Sequence, residues 1–440
     1  MLDALDGDPV VDQAVDDAAL VRAMLDVEAA LARAAARAGL ITAEAAEAVS
    51  RVADTLKVDP DGLGRRASGT ASPVIPLVRD LVDAVPDAAR GAVHAGSTTQ
   101  DVLDTALQLL AHRALVPVII HLTDAAHAAA ELAAAYRDTL ATARTLGQPA
   151  VPTTFGLRAA GWLAGLDTAR AELSRIRRTL LAVQIGGAGG TQAGYGAAGP
   201  RVAAYIADEL GLVDPGLPWH TERSRIHALA AGLGSATAAC GKVATDVVLM
   251  SQHEVGEVAE GDPGGSSAMP HKQNPSRSVL VVAGARRTPG LVATAFASGM
   301  HEQERATGSW QAEWATLREL LRLTGGAAAR VATVLSGLRV DPGAMRRNLD
   351  GAGPGLLSEA LVGRLAPLLG RTAAHEAVQR ALAAAPEGGA ALAKALRAEP
   401  AVAAAYPEQE LLHFLDPSGH TGAAGALVDQ ALARHAQESE

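Results

Sequence analysis

Aromatic residues are scarce in this 440-residue chain: Phe, Trp and Tyr make up 2% of it, although 49% of the residues are hydrophobic. The hydrophobic half is therefore mostly Ala, Leu and Val, which suit closely packed helices better than sheets rich in Ile, Tyr and Phe. A chain of this length also exceeds the size at which a single core stops growing. The composition predicts an all-α protein with more than one structural unit.

Cysteine and excess positive charge are also lacking. Cys240 is the sole cysteine of the sequence, so no disulfide can form within the chain. The formal charge is −10 at pH 7, whereas nucleic acids and anionic membranes are bound chiefly through Lys and Arg clusters. Neither is an expected partner. An anionic small ligand would need a locally positive site, for which Lys272 and Arg305 are candidates.

Neither a signal peptide nor a membrane span is expected from the sequence. Its N-terminus is acidic where a signal peptide needs a basic flank, and no uninterrupted apolar stretch approaches the roughly 20 residues of a span. We therefore expect a cytoplasmic protein.

Hydrophobic spacing predicts several long helices. Residues 17–38 form the first, with Gly39 as its end, and Pro117 should kink the longest, at 101–141. Such helices must bury more than one face, which predicts a central bundle and burial against other subunits. Further long helices are predicted at 157–184, 221–260, 275–298 and 310–337.

Breaks at Pro and Gly divide the chain into three predicted domains. Residues 51–92 are repeatedly interrupted, and the helices after Asp341 are short. The predicted domains are an N-terminal helical domain at 1–92, a central long-helix bundle at 93–340 and a small helical C-terminal domain at 341–440.

One segment between predicted helices, residues 261–275, combines glycines and prolines with groups that do chemistry. Glycine backbones can present N–H groups to an anion, and Ser266 and Ser267 add hydroxyls. Lys272 and Asn274 add a charge and an amide beside a helix start. These features indicate an anion-binding loop with a candidate acid or base, and an ordinary helix connection is the alternative.

Two other segments indicate a functional site only when they are considered together with this loop. Residues 94–101 place His94, three hydroxyl residues and an amide before the longest helix, where helix capping by Thr99 or Asp101 would also explain them. Residues 144–156 form a turn between helices that indicates nothing alone.

The three segments, in this order and at these separations, resemble the conserved regions of the fumarase/aspartase superfamily, which includes adenylosuccinate and argininosuccinate lyases. Residues 265–275 match all eight specified positions of its signature, Gly-Ser-Ser-x-Met-Pro-x-Lys-x-Asn-Pro. The resemblance extends through most of the chain. It implies a three-domain all-α fold without a cofactor. It also implies a homotetramer with a core of long helices, in which three subunits contribute to each active site.

Within the superfamily, the chain is most similar to the branch of bacterial 3-carboxy-cis,cis-muconate lactonizing enzymes (cycloisomerases). The most specific stretch is Glu304–Trp314. Ser97 and Ser224 depart from this branch, which usually has a small apolar residue at the first position and often an acid at the second. The other similar stretches are Ser72–Arg79, Thr153–Leu157, Leu217–Arg223 and Glu254–Glu260.

Leu146 stands where the fumarase, argininosuccinate and adenylosuccinate branches carry an acid–base His. An amine or hydroxide leaving group needs such a proton donor. A carboxylate does not, because its conjugate acid has a pKa of about 4. The resemblance and Leu146 together predict conversion of 3-carboxy-cis,cis-muconate to 4-carboxymuconolactone, a step in aromatic degradation by the β-ketoadipate pathway.

The resemblance also assigns site residues. Ser266 is the expected acid that protonates carbon, and Lys272 is expected to stabilise charge on the carboxylate or on the seryl oxygen. His94 is expected to contact substrate or to orient Thr98. The expected substrate-binding residues are His94, Thr98, Thr99, Gln148, Ser267, Asn274 and Arg305.

Other functions stay open. A superfamily lyase that eliminates another good leaving group from a succinate-type substrate fits Leu146 equally well, and an adenylosuccinate lyase-like enzyme is a further alternative. A non-catalytic helical assembly protein is the third, although it would not need Ser266, Lys272, Asn274 and Arg305 together.

Metal and dinucleotide sites are not expected. His253, His301 and His375 each precede a Glu but lack the second His of a zinc-binding helix. In the glycine-rich segment 186–192, Gln192 fills the third glycine position of the dinucleotide fingerprint. We interpret this segment as a helix connection near the substrate.

Overall fold

A computed structural model describes residues 5–386 and 388–439 of the chain. The all-α prediction is confirmed, since helices dominate and the described residues contain two small two-stranded sheets. The first helices are α1 (Pro9–Val15), α2 (Asp17–Arg37), α3 (Ala43–Thr55), α4 (Pro60–Ala67), α5 (Val74–Ala84) and α6 (Thr99–Ala135). A short 3₁₀ helix, Asp87–Ala92, precedes α6.

A β-hairpin and the remaining long helices follow α6. The hairpin consists of β1 (Leu140–Thr145) and β2 (Gln148–Thr154). A 3₁₀ helix, Ala193–Ala198, lies between α7 and α8, and the short strand β3 (Val258–Ala259) lies between α9 and α10. The helices of this part are α7 (Phe155–Thr179), α8 (Gly199–Leu210), α9 (Ser224–Met250), α10 (Ser276–Ala297) and α11 (Ser309–Ser336).

Shorter helices complete the chain. Strand β4 (Arg339–Val340) pairs antiparallel with β3. Two 3₁₀ helices, Pro354–Leu357 and Pro417–His420, interrupt the helices that follow. These helices are α12 (Pro342–Gly351), α13 (Ser358–Leu369), α14 (Arg371–Ala384), α15 (Gly389–Leu396), α16 (Pro400–Ala405), α17 (Glu408–Phe414) and α18 (Ala424–Ser439).

The predicted long helices are present, with two corrections. Helix α2 ends as expected before Gly39, whose φ of +78° suits a glycine. The helix expected at 101–141 ends at Ala135, because residues from Leu140 pair in the hairpin, where the sequence indicates only a turn. The helix expected at 221–260 ends at Met250, because the chain turns at Gly256 (φ +58°) into β3.

Small residues allow the long helices to approach closely, which explains the shortage of aromatic residues. A Cβ atom on Gly232 of α9 would lie 2.4 Å from Ile176 Cδ1 of α7, and one on Gly234 would lie 2.8 Å from Val292 Cγ2 of α10. Thr237 of α9 and Thr324 of α11 share a buried hydrogen bond of 2.9 Å between their hydroxyls. Larger side chains at these positions would push the helices apart.

The described residues form two compact units. The first unit consists of the described parts of Met1–Thr123, Thr168–Gly241 and Leu280–Val331. The second consists of Asp124–Asp167, Lys242–Val279 and the described part of Ala332–Glu440. Within the second unit, α13–α17 enclose an apolar cluster of their own that includes Leu361, Leu365 and Leu392. The three-domain boundaries at residues 92 and 340 stay a prediction.

Among the described residues, two helices have the length and apolar composition of a membrane span, although the sequence was expected to contain no such segment. In α6, 61% of the most apolar window is buried within the chain, as expected of a core helix. In α10 the buried share of the window is only 22%. Val279 and Phe296 of α10 are each about half exposed.

Candidate active site

Arg305 and Thr98 meet in the first unit. The Arg305 Nη1 group donates a hydrogen bond of 2.9 Å to Thr98 Oγ1, and its Nη2 group donates one of 3.2 Å to the carbonyl oxygen of Ala188. Arg305 Nε is buried and has no hydrogen-bond partner among the described residues. The guanidinium is therefore fixed beside a hydroxyl and the glycine-rich segment, as an anion-binding group requires.

Asp101 fixes both segments that flank this arginine. Its Oδ1 accepts 2.8 Å hydrogen bonds from the Gly186 N–H and from His220 Nε2. Its Oδ2 accepts bonds from the Gly187 N–H (2.8 Å) and the Thr98 N–H (3.1 Å). Asp101 thus does more than the expected capping of α6. Its buried carboxylate also joins the start of α6 to the connection of residues 186–192.

A second buried ionic cluster lies one helical turn further along α6. Arg223 Nη1 donates a 2.8 Å bond to Asp104 Oδ2, and Arg223 Nε donates a 3.2 Å bond to Glu313 Oε1. The side chain of Arg223 is 0% exposed. Burial would lower the pKa of Arg223, but Asp104 and Glu313 outweigh it and raise that pKa. His301 Nε2 lies 3.2 Å from Glu313 Oε1, which anchors the segment that carries Arg305.

His94 precedes Thr98 in a turn of unusual backbone. Its φ is +56°, a left-handed value that is uncommon for a residue with a side chain, and Gly96 follows at +76°. His94 Nδ1 lies 2.6 Å from Glu28 Oε1 of α2. Thr99, by contrast, is half-buried at the first position of α6.

In the second unit, the loop of residues 264–274 is closed at its base. The N–H groups of Gly264 and Asn274 each donate a 2.8 Å bond to the other residue's carbonyl oxygen, and Asn274 Nδ2 donates a 3.1 Å bond to the Gly265 carbonyl. Gly264 is required there, because a Cβ atom would lie 1.8 Å from Ser276 Oγ. The side chain of Asn274 is thus used in part to hold the loop.

Ser266 lies half-buried inside this closed loop. Its Oγ accepts hydrogen bonds from the N–H groups of Ala268 (3.4 Å) and Met269 (3.2 Å). Two N–H dipoles directed at one hydroxyl oxygen stabilise negative charge on that oxygen. Ser267 and Lys272 of the same loop are exposed.

Helix α10 begins directly after the loop, and a buried acid occupies its N-terminus. Glu260 Oε1 accepts bonds from the Ser278 N–H (2.8 Å) and the Ser278 hydroxyl (2.7 Å). Glu260 Oε2 accepts a 3.3 Å bond from the Arg277 N–H. The two ends of the loop are therefore fixed, by the Gly264–Asn274 bridge and by this capped helix.

Leu146 and Gln148 lie at the tip of the β1–β2 hairpin. Leu146 (φ +52°) and Gly147 (φ +79°) form its two-residue turn, and the Leu146 side chain is fully exposed. Below the tip, Arg144 donates hydrogen bonds of 3.0 and 2.6 Å to both carboxylate oxygens of buried Glu257. The fold therefore holds an apolar side chain out into solvent at some cost in backbone strain.

The expected site residues fall into two groups, one in each unit. The first unit brings Arg305 to Thr98 and places His94 and Thr99 on the same short segment. The second holds Gln148 on the hairpin and Ser266, Ser267, Lys272 and Asn274 on the loop. No group of three or more His, Cys, Asp or Glu side chains in the part of the chain that the structure describes is arranged to hold a metal ion.

Sequence reasoning missed the buried acids that support these groups. Asp101 and Asp104, three residues apart in an otherwise apolar stretch, were a detectable signal, as was Glu28 among the apolar residues of α2. Their partners were not detectable, because Arg223 and Glu313 lie 119 and 209 positions from Asp104. Spacing within a helix does not predict such distant contacts.

Comparisons with known proteins agree with this architecture. A family model described as lyase matches residues 10–290, and one described as adenylosuccinate lyase C-terminus matches residues 354–431. The chain is 42% identical to a nitrosuccinate lyase of Streptomyces davaonensis, an alignment that covers 96% of this chain and 92% of that protein. It is 41% identical to a 3-carboxy-cis,cis-muconate cycloisomerase of Pseudomonas aeruginosa, over 95% of this chain and 93% of that protein.

A solved structure shows the same fold. The 3-carboxy-cis,cis-muconate lactonizing enzyme from Pseudomonas putida superposes with a TM-score of 0.91 at 35% sequence identity, and the match covers 100% of both chains. A helical fold with a closed Gly-Ser-Ser loop defines the class of lyases and related cycloisomerases. The chain belongs to the fumarase/aspartase superfamily.

Proposed function

We propose that this protein is a cofactor-independent cycloisomerase that converts 3-carboxy-cis,cis-muconate to 4-carboxymuconolactone. The observation that carries the proposal is Leu146, which puts a fully exposed apolar side chain where other branches have a proton-donating His. The reaction needs no acid at that place, because the group that forms or breaks the C–O bond is a carboxylate. The full-length similarity to cycloisomerases supports the same substrate.

The reaction is an internal addition in which no atom is lost. One carboxylate oxygen of the substrate forms a bond to a carbon of the diene, and the π electrons move to the neighbouring carbon. That carbon becomes an enolate-like centre, stabilised by its own carboxylate, and takes a proton from Ser266. The seryl oxygen then recovers a proton from solvent, so the substrate trianion takes up one proton to give the lactone dianion. The free acids of the substrate and of the lactone are isomers.

The loop geometry supports Ser266 as the proton donor. A free hydroxyl is too weak an acid for this step, but the N–H groups of Ala268 and Met269 stabilise the seryl anion that forms. Lys272 is exposed on the same loop and has no ion-pair partner among the described residues, so its charge is available to substrate or to the seryl oxygen. Ser266 and Lys272 are the proposed catalytic residues.

The remaining site residues are proposed to bind the carboxylates of the substrate. Arg305 offers the fork geometry that matches a carboxylate, and its contact with Thr98 fixes the orientation of that fork. His94 also belongs to this set. The other proposed binding residues are Thr99, Gln148, Ser267 and Asn274.

A second candidate function is elimination of a good leaving group from a succinate-type substrate. The 42% identity to a nitrosuccinate lyase favours it. Nitrite, like a carboxylate, leaves as a stable anion, so Leu146 is compatible with that reaction too. Ser97, which departs from the lactonizing branch, lies in the segment that carries Thr98 and so favours a substrate difference.

The active protein is proposed to be a cytoplasmic homotetramer in which three subunits contribute to each active site. The support is α10, whose apolar face is largely uncovered within one chain and includes Val279 and Phe296. A second copy would bury that face. Light scattering should give four times the chain mass of 44.7 kDa, and a monomeric mass would contradict the proposal.

A paired assay separates the two reactions. The purified protein is expected to remove the diene absorbance of 3-carboxy-cis,cis-muconate and to form the lactone. The same preparation is incubated with nitrosuccinate, and nitrite and fumarate are measured. Turnover of nitrosuccinate without loss of the diene would replace the first function with the second. Adenylosuccinate and argininosuccinate, whose eliminations need a leaving-group acid, serve as controls, as does fumarate, whose hydration is the reverse of such an elimination.

A further inference from the structure

Glu28 is a buried acid to which the reaction above gives no role. It lies on α2 between Val27 and Ala29, and its side chain is 0% exposed. One of its oxygens, Oε1, lies 2.6 Å from His94 Nδ1, and the other has no hydrogen-bond partner among the described residues. An isolated buried carboxylate is strongly disfavoured. His94 is therefore the group that stabilises the charge of Glu28.

The contact also fixes which nitrogen of His94 is free. Because Nδ1 faces the carboxylate, Nδ1 carries a proton and Nε2 is the nitrogen left for a ligand. Some 19% of the His94 side chain remains exposed, so a small molecule can reach the ring. A neutral imidazole would present a lone pair at Nε2, whereas an imidazolium would present an N–H donor and a positive charge.

Acidic groups of two helices act on the His94 ring, and a buried tyrosine packs on the turn that carries it. Glu28 comes from α2, Asp101 from α6 and Tyr195 from the 3₁₀ helix before α8. Burial would lower the pKa of His94, but the hydrogen bond and charge of Glu28, together with the charge of Asp101, raise it above its usual value. The pKa of Tyr195 is also raised, by burial and then by Asp101 and Glu28, so that hydroxyl stays neutral.

Backbone packing fixes the turn that carries His94. A Cβ atom on Gly96 would lie 2.6 Å from the Tyr195 ring, so the tyrosine packs directly on the glycine backbone. Together with the left-handed backbone of His94, this contact fixes the turn that leads to Thr98. A strained non-glycine residue that is over-determined by its surroundings is typical of a functional position.

We propose that Glu28 is a positioning residue that keeps His94 as an imidazolium, whose Nε2–H binds a carboxylate of the substrate. His94 is then a second cation beside Thr98, after Arg305, and lies on the segment that carries Thr98. The proposal rests on the proposed function in one respect, namely that the substrate is a polycarboxylate. It requires neither of the two candidate reactions in particular.

The test is binding of tricarballylate, a saturated tricarboxylate that cannot react, measured by calorimetry between pH 6 and pH 9. Wild-type protein should lose affinity as the pH rises through the pKa of His94. In Glu28→Gln the loss should begin at a pH lower by one unit or more. Near the wild-type pKa the variant should therefore bind up to about tenfold more weakly, since one pKa unit is a factor of ten. His94→Gln should bind weakly at every pH and lack this dependence.

Glu131→Gln is the matched control, because Glu131 is an exposed acid on α6 whose loss removes the same charge. It should bind as the wild type does. Identical pH profiles for Glu28→Gln and wild type would overturn the proposal, as would unchanged binding by His94→Gln. If Glu28→Gln does not fold, His94→Gln alone decides the outcome. Tricarballylate cannot react, so this experiment tests binding alone. Failure to turn over either candidate substrate would therefore count against the proposed function and not against the proposed roles of Glu28 and His94.

Discussion

The two groups of candidate site residues differ in how the fold holds them. In the first unit, Arg305 and Thr98 are supported by buried ionic groups, among which Arg223 has no exposed side-chain surface. In the second unit, Ser266 and Lys272 lie on a loop whose interior is held by backbone hydrogen bonds and whose cation is exposed. The comparison indicates that the proposed carboxylate-binding residues are supported by buried charges, whereas the proposed proton donor relies on a few N–H groups.

The largest expected effect concerns the loop. Ser266→Ala should lower kcat by about 10²–10⁴-fold, the range of general acid–base catalysis, because it removes the proton donor and leaves the backbone bonds of the loop. Steady-state kinetics with 3-carboxy-cis,cis-muconate measure it. Circular dichroism should show an unchanged fold, and Ser68→Ala, at an exposed serine outside the proposed site, is the control. Full activity of Ser266→Ala would remove the serine from the mechanism.

The next effect concerns the buried cluster of the first unit. Arg223→Met should lower the free energy of unfolding by about 3–5 kcal/mol, because it leaves the carboxylates of Asp104 and Glu313 buried without their cation. Urea denaturation measures it. Arg51→Met, which breaks an exposed ion pair with Glu47 on α3, should change stability by less than about 1 kcal/mol. Equal losses in the two variants would contradict the claim that the first unit depends on buried charge.

A smaller effect is expected at the hairpin tip. Leu146→Asn should stabilise the protein by about 1 kcal/mol, because Asn tolerates the left-handed backbone of this turn and Leu does not. Lactonization should be nearly unchanged, since position 146 transfers no proton. Thermal unfolding and kinetics measure the two results. Leu146→Ala keeps the backbone strain but removes the exposed apolar side chain. It therefore separates the effect of backbone strain on stability from the effect of side-chain exposure. A large fall of kcat in both variants would show that Leu146 has a catalytic or binding role.

The smallest effect is the pH dependence of the His94–Glu28 pair. Because the pKa of His94 is raised in the folded protein, the pair stabilises the fold fully below the ordinary His pKa of about 6.5. That contribution is lost as the pH rises through the raised value. The stability difference between wild type and His94→Gln should therefore shrink from pH 6 to pH 8.5, and a difference that grows with pH would contradict the pair.

The sequence was informative wherever local chemistry decides structure. The spacing in α2 and its end before Gly39 follow from helix periodicity and from the backbone freedom of glycine. The signature loop at 264–275 is recognisable from its residues, and the structure adds its closure by the Gly264–Asn274 bridge. The residue roles within that loop stay predictions.

The sequence was less informative where the structure depends on contacts between residues that are far apart in the chain. It indicates only a turn at the β1–β2 hairpin, because Pro149 and Pro152 hide the strand pattern around Leu146. The early end of α9 at Met250 depends on the pairing of β3 with β4, whose residues follow some 80 positions later. The contacts of Asp104 with Arg223, and of Glu28 with His94, depend on helix packing and leave no local pattern.

Glu260 has a consequence for how the loop of residues 264–274 would attract a substrate carboxylate. The start of a helix ordinarily offers an anion the positive end of the helix dipole. At α10 that end is already neutralised by the buried Glu260 carboxylate, which accepts the N–H groups of Arg277 and Ser278. A substrate carboxylate at the loop would thus meet a satisfied helix end and a fixed negative charge behind it. The attraction for a substrate carboxylate would therefore come from Lys272 and from the N–H groups of the loop. The positive charge of Lys272 would offset the negative charge of Glu260.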